Sequence, residues 1–567
     1  MPIVLVRFAP DGAPAGPHWQ RACERARTLA PPFDGQQDHR SGAGWNALVV
    51  RVSDVDPAGF HDSGAPGVVL LASYARPTWP LQPPSTAGLA IGIDRTQRCL
   101  TATCDLTGRH GLYWCEARGE IWLSTRIELL LLAPGLATAE DPGYFASYYA
   151  NCAAPDDRTA YRDIRLIPGG AWLRHSGRRC HVSAHERVPA EAVETLPAKQ
   201  RREHLRSLVG RAVASCLPEG AGTAGLLLSG GFDSAWVLRT LVRIGHPRVR
   251  IECATAGYRH RRVADERKLA ENLRKSLAVP GFDLDAAQYP PRLADLGDIA
   301  APCANPFRRL NDALYSGLRT AAARVVLTGQ FADELDAPGH AWLREWRQHK
   351  TLDSLPLWAL LRQPAEVARH LVNRLGLRRA GVRHDDCLLA AWREWLQSQE
   401  PARLMPFQAW PRPSHAADVL GSAVRESELL EARHVESQGL LSMHPFRDWE
   451  LVRFLLSLPA RDTAVLASRK RIQRAAARDL PASVLRRKKC GSLEPLLSAA
   501  MASLAPQAEL ILREVPAWRG YLAEGALQRL APRNPTELYM VFRMLAHSLW
   551  AEPGLLRTVA GVEARHR

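Results

Sequence analysis

The sequence predicts an α/β protein in two parts: a strand- and turn-rich first third, then a unit built on a doubly wound parallel sheet. Three stretches carry that prediction. Gly225-Leu-Leu-Leu-Ser-Gly-Gly-Phe-Asp-Ser234 reads as a buried strand, a loop with almost no side-chain bulk and a helix start. Ala323-Arg-Val-Val-Leu-Thr-Gly-Gln-Phe-Ala-Asp-Glu334 repeats that logic, an apolar strand followed by a glycine turn and a carboxylate pair. Before position 190 the pattern differs, with short β-like runs broken by Pro, Gly and Asp clusters.

Composition sets the outer bounds. At 567 residues more than one domain is expected, and 46% hydrophobic content suits an ordinary globular core. A formal charge of +16 and a pI near 9.7 fit a polyanionic ligand, an acidic peptide, nucleic acid, or a solvated arginine-rich surface. Eleven cysteines are scattered along the chain without Cys-x-x-Cys, and Cys99 and Cys104 have no partner pair at zinc-finger spacing. That usage predicts reduced thiols and a cytoplasmic protein. Met-Pro-Ile-Val-Leu-Val-Arg-Phe reads as a short strand rather than a signal peptide. No apolar run reaches about 18 residues, so no membrane span is expected.

Taken in order, Ile3–Phe8, Ala47–Val52, Gly67–Ala72 and Leu89–Ile93 are candidate strands. Asp105-Leu-Thr-Gly-Arg-His-Gly-Leu-Tyr-Trp114 and Ile121-Trp-Leu-Ser-Thr-Arg-Ile-Glu-Leu-Leu130 follow, then Thr159 to Leu173. Pro189–Lys199 reads as a linker and Lys199–Cys216 as a basic amphipathic helix. The loop helix is placed at Ala235–Val242, so that Asp233 and Ser234 stand at its start, where free N–H groups and the helix dipole favour an anion. No lysine follows the glycines, which excludes the Gly-Lys-Ser/Thr phosphate loop. Val249–Ala254 is a second strand, and its end, Cys253-Ala-Thr-Ala-Gly257, would meet a nucleotide base. Ala264–Arg274 has helical spacing, and Val279–Phe282 marks a turn. Gly339 to about Pro413 reads as a helical insertion carrying Trp342, Trp346, Trp358, Trp392, Trp395 and Trp410, as core or as anchors of a peptide groove. Arg378–His384 reads as a solvated loop, and Asn534-Pro-Thr-Glu537 caps a last helix.

These motifs resemble, in order, those of the asparagine synthetase and β-lactam synthetase superfamily. Ser-Gly-Gly-x-Asp-Ser is similar to the pyrophosphate-binding loop of enzymes that split ATP into AMP and pyrophosphate, and residues 323–334 resemble L-x-G-x-G-A/S-D-E. His444-Pro-Phe-Arg-Asp resembles the R-x-P-F-L-D segment, and Lys470 to Lys489 resembles K-x-x-L-R … L-P-x-x-V-x-x-R-x-K. The first part looks like the glutaminase-type α+β sandwich of asparagine synthetases. The implied architecture is therefore an inactive glutaminase-like domain, 1–195, followed by a PP-loop ATP-pyrophosphatase domain with helical insertions, 196–567.

The resemblance implies ATP and Mg2+ as cofactors. It assigns Leu228, Ser229, Gly230, Gly231, Asp233, Ser234, Cys253, Gly329, Lys470 and Lys489 to ATP and pyrophosphate, and Asp233 and Asp333 to magnesium. Lys489, Gln330 and Glu334 are its catalytic candidates. Two carboxylates beside a triphosphate suit magnesium, which keeps several waters and takes phosphate oxygens as well.

Three departures matter. Such a glutaminase uses an N-terminal cysteine, but position 2 is Pro2 and no cysteine precedes Cys23. The amine is then expected from a larger substrate. Gln330 stands where asparagine synthetases place a glutamate and β-lactam synthetases a tyrosine, and Leu441 replaces the glutamate of E-x-R-x-P-F. With the tryptophan-rich insertion and the basic charge, these features favour a lasso-peptide cyclase. Such an enzyme joins a peptide's N-terminal amine to an Asp or Glu side chain. Its expected partners are a precursor core peptide, a leader peptidase and a leader-recognition protein, with no membrane and no nucleic acid. The alternatives are a β-lactam synthetase-like enzyme, an ammonia-dependent asparagine synthetase-like enzyme and a tRNA-modifying PP-loop enzyme. The last often uses paired cysteines, and none flanks Ser229–Ser234.

Overall fold

The computed structural model describes residues 2–29, 37–51, 58–61, 63–65, 67–73, 80–81, 88–151, 157–176, 179–183, 190–191, 193–218, 222–258, 265–298, 300–302, 305–336, 387–404, 407, 410–458, 462, 470–486, 494–523 and 535–553. Lys489, Cys490, Trp342, Trp346, Trp358, Arg378–His384 and Asn534 lie outside the described residues.

The first part contains strands β1 (Ile3–Phe8), β2 (Gln37–Gly42), β3 (Trp45–Val50), β4 (Gly59–His61), β5 (Val68–Ser73) and β6 (Leu89–Asp94). They are followed by β7 (Cys99–Cys104), β8 (Tyr113–Ala117), β9 (Glu120–Ser124), β10 (Arg165–Leu166), β11 (Trp172–Ser176) and β12 (Arg179–Ser183). They form two six-stranded antiparallel sheets, ordered β10-β8-β9-β1-β3-β2 and β12-β11-β7-β6-β5-β4. Side-chain alternation explains the packing. In β1, Val4, Val6 and Phe8 join a core with Leu71, Ile91, Ile93 and Leu100 of the second sheet. Ile3 and Leu5 point the other way, toward Trp19, Ala22 and Ala26 of helix Pro17–Leu29. The first sheet is thus covered on both faces, which is why β1 and β3 are buried throughout and apolar except for Arg7 and Asn46, which hydrogen-bond to one another at 3.1 Å.

The second part holds β13 (Gly222–Leu227), β14 (Val249–Gly257), β15 (Gly281–Asp285), β16 (Ala323–Leu327) and β17 (Leu441–Met443). They form one parallel sheet ordered β15-β14-β13-β16-β17. The chain winds outward in one direction from β13 through β14 to β15, then returns to the other side of β13 for β16. The β13/β16 junction is therefore the topological switch point, where α/β sheets open a crevice at their carboxyl ends. Helix Ala198–Ala214 and the loop helix Phe232–Ile244 bury Leu205, Leu208, Val209, Trp236 and Val237 with β13 side chains. Helix Arg308–Thr320 buries Leu310, Leu314, Tyr315 and Leu318 with Val326.

Several boundaries differ from the sequence reading. Phe232 is aromatic and buried, and the loop helix begins there, so Asp233 and Ser234 lie in its first turn. Val279–Phe282 runs into a strand, because Gly281–Asp285 pairs with β14. That pairing also carries β14 beyond Ala254 to Gly257, the last residue of the stretch expected at the strand end, with Cys253 inside the strand. Of the tryptophans, Trp410 is buried against Trp449, while Trp392, stacked on Tyr521, and Trp395, beneath Arg158, are half-buried. The apolar core that surrounds β13 also contains Ile3, Leu5, Phe145 and Tyr149, so the two parts share one interior. Among the described residues no helix is long and apolar enough to cross a membrane, and eight free cysteines are described.

Candidate active site at the sheet switch point

The loop after β13 is closed on itself by serine hydroxyls. The Ser229 N–H donates to Ser234 Oγ at 3.2 Å, and the Gly231 N–H donates to Ser229 Oγ at 3.3 Å. Leu228 is anchored to β14 by its N–H, which donates to the Ala254 carbonyl at 2.9 Å. Gly230 has φ +72°, a conformation side chains resist, and a Cβ there would stand 3.1 Å from the Glu266 carbonyl. Ser229 is exposed and Ser234 is buried, so the loop shows one polar edge outward above a helix N-terminus.

The loop after β16 presses against this one. A Cβ on Gly329 would meet Ser234 N at 2.6 Å and the Asp233 carbonyl carbon at 2.9 Å. Only a glycine lets the two backbones come this close. The chain then passes through Phe331, at φ +65°, and places Asp333 in the short helix Ala332–Leu335.

Lys470 joins the two loops. Its ammonium pairs with Asp233 and, at 2.7 Å, with Asp333 Oδ1. The lysine side chain is 4% exposed, while the aspartates are 21% and 38% exposed. Lys470 is itself left-handed, at φ +59°, and its N–H donates to Asp336 Oδ1 at 3.1 Å. Two non-glycine residues with positive φ, Phe331 and Lys470, therefore flank one site, each at a cost of about 1–3 kcal/mol that the surrounding contacts offset.

The donor set suits magnesium. Two carboxylates are hard oxygen ligands that converge from adjacent loops and keep partly open faces. Among the described residues no cluster of three or more His, Cys, Asp or Glu side chains could hold a metal alone. The ion would thus depend on ligands such as phosphate oxygens and water.

The other sequence candidates are distributed unevenly. Gln330 is exposed on the same loop, its N–H donating to Thr328 Oγ1 at 3.2 Å. Glu334 is exposed, and its carbonyl accepts from His415 at 2.6 Å. Cys253 is fully buried and burial pushes its thiol up to about 12, so it presents no sulfur to a ligand. Cys23 is buried on helix Pro17–Leu29, and burial raises its thiol to about 11, against a nucleophilic role.

One group had no sequence signal. Glu431, on helix Ser422–Ser437, accepts from Tyr315 Oη at 3.2 Å, and the Gln330 side chain is near enough to lower its pKa. Burial lifts its carboxyl to about 7 against those contacts. A carboxylate with that affinity for protons can exchange one near neutral pH.

A parallel sheet with a glycine-serine loop, two aspartates and a lysine at its switch point belongs to the class of doubly wound α/β proteins, whose ligand crevice lies at that point. Residues 204–552, more than half of the chain, match the asparagine synthase family, and the chain belongs to that family. No curated protein matches the chain. Among solved structures it is similar to an NH3-dependent NAD synthetase from Campylobacter jejuni, at 16% identity and TM-score 0.18, over 25% of this chain and 60% of that one. It is also similar to a glutamine phosphoribosylpyrophosphate amidotransferase from B. subtilis, at 10% identity and TM-score 0.22, over 59% of this chain and 82% of that one. The chain spans about three fifths of the length of the NAD synthetase.

Proposed function

We propose that the protein is an ATP-dependent macrolactam synthetase acting on a leader-free peptide. An Asp or Glu side-chain carboxylate of the peptide attacks the α-phosphorus of ATP, and pyrophosphate leaves. The peptide's N-terminal amine then attacks the acyl carbon, loses a proton, and displaces AMP. The observation that carries the reading is the convergence of Asp233, Asp333 and Lys470 at the switch point of a chain in the asparagine synthase family.

Each residue has a task in this scheme. The Ser229–Ser234 loop and the helix N-terminus receive the pyrophosphate. Asp233 and Asp333 would hold a magnesium ion, which neutralises phosphate charge when bound. Lys470 keeps the two carboxylates together, and Lys489, outside the described residues, is proposed to stabilise the charge that develops at phosphorus or carbon. Glu431, beside Gln330, is the candidate acceptor for the ammonium proton. The two-sheet part is read as a glutaminase-like domain, 1–195, without amidase chemistry, in keeping with the buried, high-pKa thiol of Cys23. That leaves the substrate's own amine as nucleophile. A leader peptidase and a leader-recognition protein would supply the trimmed peptide.

The test is mass spectrometry of a core peptide incubated with ATP, magnesium and the protein. Loss of one water matched by AMP supports the macrolactam. AMP formed only with free aspartate and ammonia replaces it with an asparagine-type synthesis, and AMP that needs added tRNA replaces it with tRNA modification.

A further inference from the structure

The first part of the molecule reaches the site through a continuous set of buried polar contacts. Asp105 organises the starting loop. Its carboxylate accepts from Thr107 Oγ1 at 2.6 Å and from the N–H groups of Thr107, Arg109 and Gly88 at 3.1 Å. Burial would raise its pKa, yet hydrogen bonds led by that of His110 hold it at about 2. The loop is therefore closed around an ionised carboxylate. From it the Thr107 carbonyl accepts from Arg447 at 2.8 Å, and Arg109 donates to the Ser442 carbonyl at 3.3 Å.

Glu428 ties these arginines together. Its carboxylate accepts from Arg447 Nε at 2.8 Å and lies 3.4 Å from Arg109 Nε. Arg447, 2% exposed, also donates to the Val419 carbonyl at 2.9 Å. This explains an arginine where the family resemblance expects leucine: the side chain is a buried three-way clamp rather than core filling.

The contacts continue to the second loop. Ser442 Oγ is 2.9 Å from His444 Nε2, and His444 Nδ1 is 2.8 Å from Thr328 Oγ1. Thr328 Oγ1 in turn accepts the Gln330 N–H, and the Thr328 N–H donates to the Met443 carbonyl at 3.2 Å. Phe331 sets its ring edge-on to His444 at 4.9 Å. Burial and the adjacent Arg109 and Arg447 push His444 well below its ordinary pKa, so the ring is neutral. A neutral ring has one proton. Held on Nε2, it goes to Ser442, and Nδ1 accepts from the Thr328 hydroxyl, whose oxygen lone pairs face the Gln330 N–H.

We propose that Arg109, Glu428, Arg447, His444 and Thr328 form a positioning relay through which the first part of the molecule sets the pose of the Thr328–Asp333 loop. These are positioning residues. The two-sheet part acts as a buttress for the site, and only the consequence for turnover rests on the ATP reading above.

Hydrogen exchange of the full chain tests the relay without any assay of activity. Arg109→Met and Thr328→Val should each raise exchange in residues 328–336 by roughly tenfold, the scale of losing one buried hydrogen bond, with β13 unchanged. Thr328→Ser, which keeps the hydroxyl, should restore protection. The double variant should lose no more than the larger single loss, as coupled sites do. Unchanged exchange, additive losses, or no rescue by serine would each overturn the relay. With ATP, the same variants should lower kcat while KM for ATP stays within about twofold. Exchange that rises as expected in a protein whose wild type never turns over ATP would uphold the relay and remove the ATP reading instead.

Discussion

At the residue scale, Lys470 and Glu431 show how context assigns chemistry. Lys470 is one of many cations in a basic chain, yet it is buried between two carboxylates contributed by different loops. Lys470→Met should leave Asp233 and Asp333 repelling one another. It should lower ATP turnover by roughly 10²–10³ and, with the competing ammonium gone, lower the magnesium concentration needed for half-maximal rate, both read from pyrophosphate release. Equal magnesium dependence in mutant and wild type would refute the pairing's role. Glu431 carries a sign that can be checked. Its pKa rises on folding from the ordinary 4.5 to about 7. The folded state therefore holds the proton more tightly. The stability from this group is complete below about pH 4.5 and is lost as pH rises through about 7, by up to about 3 kcal/mol. Glu431→Gln should flatten that part of the pH profile in chemical denaturation. An unchanged profile would show that the carboxyl titrates normally.

At the element scale, the site exists because two strand–loop–helix units meet at β13 and β16. Their carboxyl ends are in register, with Leu226 opposite Leu327. The crucial contact is backbone on backbone, where Gly329 lies against the first turn of helix Phe232–Ile244. Gly329→Ala should push the loops apart by a fraction of an ångström and lower kcat/KM for ATP by about 10²-fold, since small misplacements cost that much. Circular dichroism should remain near wild type. A normal rate would mean that the two loops need not touch during turnover. Gly230 differs, because φ +72° makes any side chain strained there whatever space is available.

At the scale of the whole molecule, the two parts pack into one continuous core. Their shared core holds Ile3 and Leu5 together with Leu226 and Trp236. Buried ion pairs cross the boundary, Arg126 to Glu436 at 2.5 Å and Arg433 to Glu128 at 2.5 Å. Such pairs escape most salt screening. Residues 196–567 expressed alone should therefore expose an apolar face and leave Glu436 and Arg433 without Arg126 and Glu128. Size-exclusion and thermal melting should show aggregation without a cooperative transition. A soluble fragment with a sharp melt would show instead that the synthetase part folds independently.

Much of the fold was legible from local pattern. The leucine run before Ser229, the repeated strand and glycine turn before Asp333, and the short N-terminal strands all report burial or backbone freedom, and both are properties of neighbouring residues in the chain. The strand ends were less legible. β14 runs to Gly257 only because β15 lies beside it, and pairing partners are invisible in one strand's sequence. The tryptophans were legible as aromatic anchors but not as to their partners, which are Tyr521, Arg158 and Trp449. The sequence by itself determined the α/β class, the two loops and the glycines that let them turn, because these follow from periodicity and backbone sterics. Only the tertiary structure decided that Lys470 pairs with both aspartates, that Glu431 meets Gln330, and that Arg447 clamps the first part to the second. Those contacts join residues far apart in the chain, and their charges and proton affinities are set by burial, which exists only once the chain has folded.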